Sequence, residues 1–263
     1  MVMQGADKAT TATRDGHWRT VEAGSVRVHS YVNCLGGAGG DFVELRQTPG
    51  RHVGLTVADV SGHGPEAVPA RNDVLKELSD MDETQRNEQP WLEHLNGRLY
   101  RMFEGDRFCA AVSVRFECPE ANDKTMASVA VAVAVAGMPA PLLFSAATGC
   151  VDRIGGGALP LGAMEEADYL PDTVHCDAQA GDIMVIFTDG VSEAHLDSTS
   201  LFGDDRVERL VRSLAPCGAE ALLRGLVASV HNFLGGAEAN DDMTLAVIEF
   251  THKHATNTKP CAA

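Results

Sequence analysis

Val53–Gly64 reads VGLTVADVSGHG. Val53–Val60 is apolar and rich in β-branched residues, which predicts a buried strand. Ser61-Gly62-His63-Gly64 then predicts a turn, and Pro65 suits the first position of a helix running to about Ser79. Asp59 is the one charged residue in the strand. A carboxylate at that position is held rigidly while its oxygens face whatever cleft the turn leaves open.

Outward from this stretch, strands are predicted at Ser25–Asn33, Asp41–Gln47, Phe108–Phe116, Met126–Ala136, Pro141–Ser145, Cys150–Ile154, Asp182–Thr188 and Met243–Phe250. The glycine-rich run Gly36–Gly40 precedes the second of these, and Ala147-Thr148-Gly149 reads as a hairpin turn. Helices are predicted at Trp91–Phe103, where Trp91, Leu95, Leu99 and Met102 recur at helical spacing, and at Asp204–Leu214 and Ala219–Leu234. Leu75 and Leu78 extend the same core pattern to the helix after Pro65. Runs of strands broken by helix pairs are not a βαβ alternation. They predict an α+β layered fold, with sheets packed together and helices outside. Residues 1–20 and 252–263 are polar and aperiodic and read as frayed tails around one domain, 21–251.

The chain has 263 residues, 21 basic and 37 acidic, for a net charge of −16. So acidic a chain is not expected to bind nucleic acid or an anionic membrane, which basic patches attract. Carboxylate oxygens suit hard divalent cations. The seven cysteines (34, 109, 118, 150, 176, 217 and 261) are odd in number and none has C-x-x-C spacing. Neither a zinc site nor a disulfide framework is expected, and a reducing cytoplasm is. The polar start, MVMQGADKATTATRDG, is no secretory signal, and the longest apolar stretch, Val129–Gly137, falls short of the roughly 20 residues that span a bilayer.

Four acidic positions share one context. Asp41 follows Gly39-Gly40, Asp59 ends an apolar strand, Asp189 follows another and precedes Gly190, and Asp241-Asp242 lead into MTLAVIEF. Each alone is a common turn former. Together they are strand-end carboxylates that would repel one another unless a cation such as Mg²⁺ or Mn²⁺ sat between them.

GGDF (39–42), ADVSGHG (58–64), FTDGVSEA (187–194), LFGDDRV (201–207) and DDMTLAVI (241–248), with the softer AGMPAPLLF (136–144) and ALPLGAM (158–164), resemble the SpoIIE-type (RsbU/RsbX-like) phosphatases. These are a bacterial branch of the protein phosphatase 2C (PPM) superfamily. The resemblance covers roughly residues 25–250 in the family's order. It implies an αββα sandwich: two packed antiparallel β-sheets flanked by helices. It also implies hydrolysis of phosphoserine or phosphothreonine by a water activated on two Mn²⁺ or Mg²⁺ ions. By the same resemblance Asp41, Asp59, the Val60 carbonyl, Asp189 and Asp241 hold the metals, with Asp59 bridging them. Asp241 is preferred to Asp242 because the ligand is the first acid of that motif. His63, beside the bridging Asp, is a candidate general acid for the leaving alkoxide.

The chain departs from the pattern at Glu44, where the family has a second Asp, and at Met138, where it has His. Met138 is expected to alter the surface near the cleft. Asp15-Gly16-His17 imitates a eukaryotic motif but lies in the polar tail and reads as a decoy. GGDF also resembles a diguanylate cyclase signature, but the remaining motifs do not fit that fold. Thr188 and Gly190 read as shaping the turn that presents Asp189. Asp204 and Asp205 read as helix-start acids, and Arg206 and Arg209 as a solvated face.

The resemblance implies a phosphorylated STAS-domain anti-sigma-factor antagonist as substrate, in a stress or sigma-factor module, and an activating regulatory protein among the partners. The short N-terminal tail is expected to leave no room for a sensor domain. Two other readings are a degenerate phosphatase that binds a phosphoprotein without turnover, and a hydrolase of small phosphoesters. Retention of all four carboxylates argues against the first. The lack of a basic nucleotide pocket in the sequence argues against the second.

Overall fold

The computed structural model describes residues 16–47, 52–81, 91–117, 128–165, 169, 172–197 and 200–251. Strand β4 (His52–Val60) lies between β3 (Phe42–Gln47) and β5 (Cys109–Glu117), with Asp59 opposite Ala110 and Val60 opposite Cys109. β6 (Ser128–Ala136) and β9 (Thr173–Gln179) extend this sheet to the order β3-β4-β5-β6-β9. The second sheet is β1-β2-β11-β10-β7-β8, made of β1 (His17–Ala23), β2 (Val26–Asn33), β7 (Leu142–Phe144), β8 (Val151–Arg153), β10 (Ile183–Phe187) and β11 (Met243–Phe250). Every ladder is antiparallel.

The period of two decides which residue fills which layer. Leu55 and Val57 face the other sheet and meet Val112, Val114, Met184, Ile186 and Ile248 in a core between the sheets. Ala58 and Val60 face the opposite way. They pack under helices α1 (Val68–Asp80) and α2 (Trp91–Phe103), with Val74, Leu78, Leu95 and Leu99. On the far side, Val185, Phe187, Leu245 and Val247 pack under α4 (Asp204–Leu214) and α5 (Ala219–Phe233), against Val207, Val211, Leu222 and Leu226. A single turn, α3 (Asp189–Ser192), leaves β10. The four layers run helix, sheet, sheet, helix, as the α+β reading requires.

Several local expectations change. β1 begins at His17, inside the stretch assigned to the N-terminal tail. It is a mostly exposed edge strand and carries no apolar alternation to read. Its ladder with β2 and the stacking of Trp18 on Tyr31, 4.6 Å between ring centroids, hold it in place. The half-exposed edge strand β9 escapes the same pattern search. Pro65 lies in a 3₁₀ turn, Gly64–Glu66, and α1 starts at Val68 with Pro69 in its first turn. Met138 is buried in the core between the sheets, not at the surface near the cleft. Arg206 stacks its guanidinium on Phe202 and Phe233 at 5.1 and 4.6 Å, so it is not a solvated face.

Residues 1–15, 126–127 and 252–263, with Asp15, Cys118 and Cys261, lie outside the described residues. Cys34, Cys109, Cys150, Cys176 and Cys217 are free thiols. Among the described residues no helix is long and apolar enough to cross a membrane.

Leu55 is fully buried and Leu196 is 58% exposed. Leu55→Ala is expected to lower unfolding free energy by about 2–5 kcal/mol, and Leu196→Ala to stay within about 0.5 kcal/mol of wild type. Urea denaturation followed by circular dichroism measures both.

Candidate active site

The alternation that buries Leu55 and Val57 carries Asp59 onto the same inter-sheet face, at the end of β4. In β10, Met184 and Ile186 face the same interior, and Thr188 follows them inward, fully buried. At the start of β11, Asp242 shares a face with Thr244 and is 2% exposed, whereas Asp241 is exposed at the mouth. Asp41 immediately precedes β3 and is also 2% exposed. Two strand ends from each sheet therefore meet at one end of the sandwich, and each carries an aspartate.

The two residues of the Asp241-Asp242 pair have different environments. Asp242 Oδ1 accepts from the Leu35 amide at 2.7 Å, and its Oδ2 accepts from the Gly40 and Asp41 amides at 2.8 and 3.4 Å. Asp241 Oδ1 accepts only the local amide of Asp242, at 2.8 Å. Asp41 Oδ2 accepts from the Thr188 hydroxyl at 2.9 Å, and Thr188 Oγ1 in turn accepts the Thr244 amide at 3.0 Å. Asp41 Oδ1 is buried with no hydrogen-bond partner.

The electrostatics follow from this crowding. Burial first, then the charges of Asp189 and Asp241, push the Asp59 carboxyl up to about 7. Burial first, then Asp59, raises Asp41 well above the usual carboxylate range. Burial likewise raises Asp189, helped by Glu193, and raises Asp241, which Asp189 pushes further up and His63 pulls back. His63 is exposed and close enough to Asp241 to act on it. Glu44 lies on the helix-side face of β3 with Phe42, away from the inter-sheet face of Val43 and Leu45.

The donor set fits a hard cation. The candidate ligands Asp41, Asp59, Asp189 and Asp241 offer only oxygen, neighbouring carboxylates add to the raised proton affinity of Asp41, Asp59 and Asp241, and one buried Asp41 oxygen is unpartnered. Gly40 adds a cradle: a Cβ there would stand 2.2 Å from the Val60 carbonyl oxygen and 3.1 Å from that of Gly62. Glycine at this position thus keeps the Val60 oxygen clear. Among the described residues no group of three or more His, Cys, Asp and Glu side chains is arranged to hold a metal ion as they stand.

The structure brings Asp41, Asp59, Val60, Asp189, Asp241 and His63 to one end of the fold. The sequence reading missed the roles of Thr188 and Asp242. Thr188 does more than shape a turn, since its hydroxyl grips Asp41, and Asp242 is a buried clamp. The apolar run ahead of Thr188 was the available signal, because its alternation points that hydroxyl inward.

Two packed antiparallel sheets with a carboxylate-lined cleft at one end are the arrangement of a serine/threonine phosphatase domain of the protein phosphatase 2C type. The family described as stage II sporulation protein E (SpoIIE) matches residues 49–251, and the chain belongs to that family. Three solved structures show the same fold. The phosphatase domain of SpoIIE from Bacillus subtilis is 19% identical, with 92% of this chain and 98% of that one covered and a TM-score of 0.62. The RsbU and RsbW domains of Rv1364c from Mycobacterium tuberculosis are 22% identical, with 82% and 56% covered and a TM-score of 0.61. The catalytic domain of the phosphatase PstP in complex with two manganese ions is 14% identical, with 86% and 99% covered and a TM-score of 0.55. No curated protein matches the chain.

A carboxyl that binds its proton more tightly folded than unfolded destabilises the fold once it must ionise. Stability is then highest below the ordinary Asp range, near pH 4, and falls as pH rises through about 7, the Asp59 value. In EDTA the melting temperature is expected to fall between about pH 5 and pH 8, and Asp59→Asn is expected to flatten that fall. An equally steep fall in the variant would contradict the crowding.

Proposed function

We propose that this chain is a metal-dependent phosphoprotein phosphatase whose metal ligands are Asp41, Asp59, the Val60 carbonyl oxygen, Asp189 and Asp241. The carrying observation is the convergence of four carboxylates from both sheets, with Asp59 pushed up to about 7 and Asp41 keeping a buried, unpartnered oxygen. Two Mn²⁺ or Mg²⁺ ions would supply an activated water and neutralise phosphoryl charge. Asp59, acted on by the charges of both Asp189 and Asp241, would hold the ions together with them.

The residues of the chain divide the remaining work. Thr188 holds one Asp41 oxygen and leaves the other free. His63, exposed beside Asp241, is placed to hand a proton to the leaving serine or threonine oxygen. The substrate proposed is a phosphorylated STAS-domain antagonist of an anti-sigma factor, acted on in the cytoplasm within a sigma-factor module, with an activating protein as a further partner. The likeness to the RsbU and RsbW domains supports this choice. Retention of every candidate ligand favours turnover over a binding module that holds a phosphoprotein.

Phosphate release from p-nitrophenyl phosphate and from a phosphoserine STAS protein, with Mn²⁺ and with EDTA, tests the reading. Turnover is expected only with Mn²⁺, and Asp59→Ala is expected to abolish it. Metal-independent turnover, or none from a folded protein with Mn²⁺ bound, would contradict it.

A general acid matters most when the leaving group is poor. His63→Gln is therefore expected to lower kcat on the phosphoserine protein by about 10²-fold or more, with a far smaller effect on p-nitrophenyl phosphate. Equal losses on both substrates would remove His63 from that role.

A further inference from the structure

Asp242 touches three parts of the site at once. Its carboxylate, 2% exposed, accepts the amides of Leu35, Gly40 and Asp41. Its own amide is donated to Asp241 Oδ1. Its carbonyl oxygen lies so near Gly190 that a Cβ there would stand 2.0 Å away. The segment before β3, the Asp241 side chain and the turn at Asp189 are thus all registered on one residue, which itself is closed off from the cleft. Three main-chain donors on one carboxylate make it a poor ligand and a strong anchor.

Resting on the metal-site reading above, we propose that Asp242 is a positioning residue: its carboxylate fixes the segment Leu35–Asp41, so that Asp41 presents one unpartnered oxygen to the cation. It takes no part in the chemistry. Partners that orient a metal ligand from behind commonly set metal affinity by about 10- to 100-fold when removed.

Gly39 gives an independent handle. A Cβ there would stand 1.7 Å from Asp242 Oδ2, while the backbone at Gly39 is one that alanine adopts freely. Gly39→Ala therefore displaces the carboxylate without removing it. Asp242→Ala removes it, and Asp242→Asn keeps one acceptor oxygen.

Amide hydrogen exchange in EDTA reads the clamp with no metal present. Exchange at Leu35, Gly40 and Asp41 is expected to quicken about tenfold or more in Asp242→Ala and in Gly39→Ala, with Asp242→Asn between them and wild type. Unchanged exchange at these amides overturns the proposal. Calorimetric Mn²⁺ titration then reads Asp41: the Kd is expected to rise about 10- to 100-fold in either variant. Gly39→Ala is expected to add nothing in the Asp242→Ala background, where the methyl group has room. Unchanged Mn²⁺ affinity despite faster exchange, or additive losses, also overturns it. A wild-type protein that takes up no Mn²⁺ contradicts the metal reading instead, and the exchange measurement still decides the clamp. If Asp242→Ala does not fold, Gly39→Ala and Asp242→Asn carry both readouts.

Discussion

Burial of carboxylates, reinforced by repulsion between like charges, governs one end of this molecule. Asp41, Asp59, Asp189, Asp241 and Asp242 come from four strand ends and converge on one cleft, and Asp242 has both its oxygens occupied by main-chain donors. Burial first, then neighbouring charges, raises the proton affinity of the others. Such crowding would spread the strand ends apart if their middles were loose. They are held by Leu55, Val57, Met184 and Ile186, which fill the space between the sheets with no exposed surface. The backbone is therefore fixed by packing, and the repulsion is relieved by whatever positive charge reaches the cleft.

The division between the sheets matters as much as the charges. The five-stranded sheet supplies Asp41, Asp59 and Val60, and the six-stranded sheet supplies Thr188, Asp189, Asp241 and Asp242. The hydroxyl of Thr188 and the carboxylate of Asp242 cross from one sheet to the other, so the site exists only when the two faces are packed together. Outside this cleft the polar contacts have other duties. Arg153, on the β7–β8 hairpin, meets Asp204, Asp205 and Glu208 of α4, all at least partly exposed. Those three pairs tie a hairpin to a helix at a surface where each contributes little alone.

Much of this was legible in the chain. The buried run Val53–Val60, the helix Trp91–Phe103 and the strand Met243–Phe250 announce themselves by period, because burial on a defined face leaves a mark in the sequence. The strand-end positions of Asp41, Asp59, Asp189 and Asp241 follow from those elements. What period cannot show is polar or distant in sequence. β1 and β9 lie at sheet edges and expose too much to alternate. Asp242 and Thr188 look like ordinary turn residues until the fold brings Gly40 and Asp41 to them across more than a hundred residues. Arg206 looks solvated until Phe202 and Phe233 close around it.

The position of β11 has a consequence for how the chain is made. It is the last element among the described residues, yet it sits between β2 and β10, two places in from the β1 edge of its sheet. During synthesis the β1–β2 hairpin emerges long before Met243–Phe250, the strand that pairs its inner flank. Contacts this distant in sequence form slowly. The same strand brings Asp241 and Asp242, so a nascent or C-terminally truncated chain carries at most part of the acidic set. The cleft is assembled only once Met243–Phe250 has paired with β2 and β10.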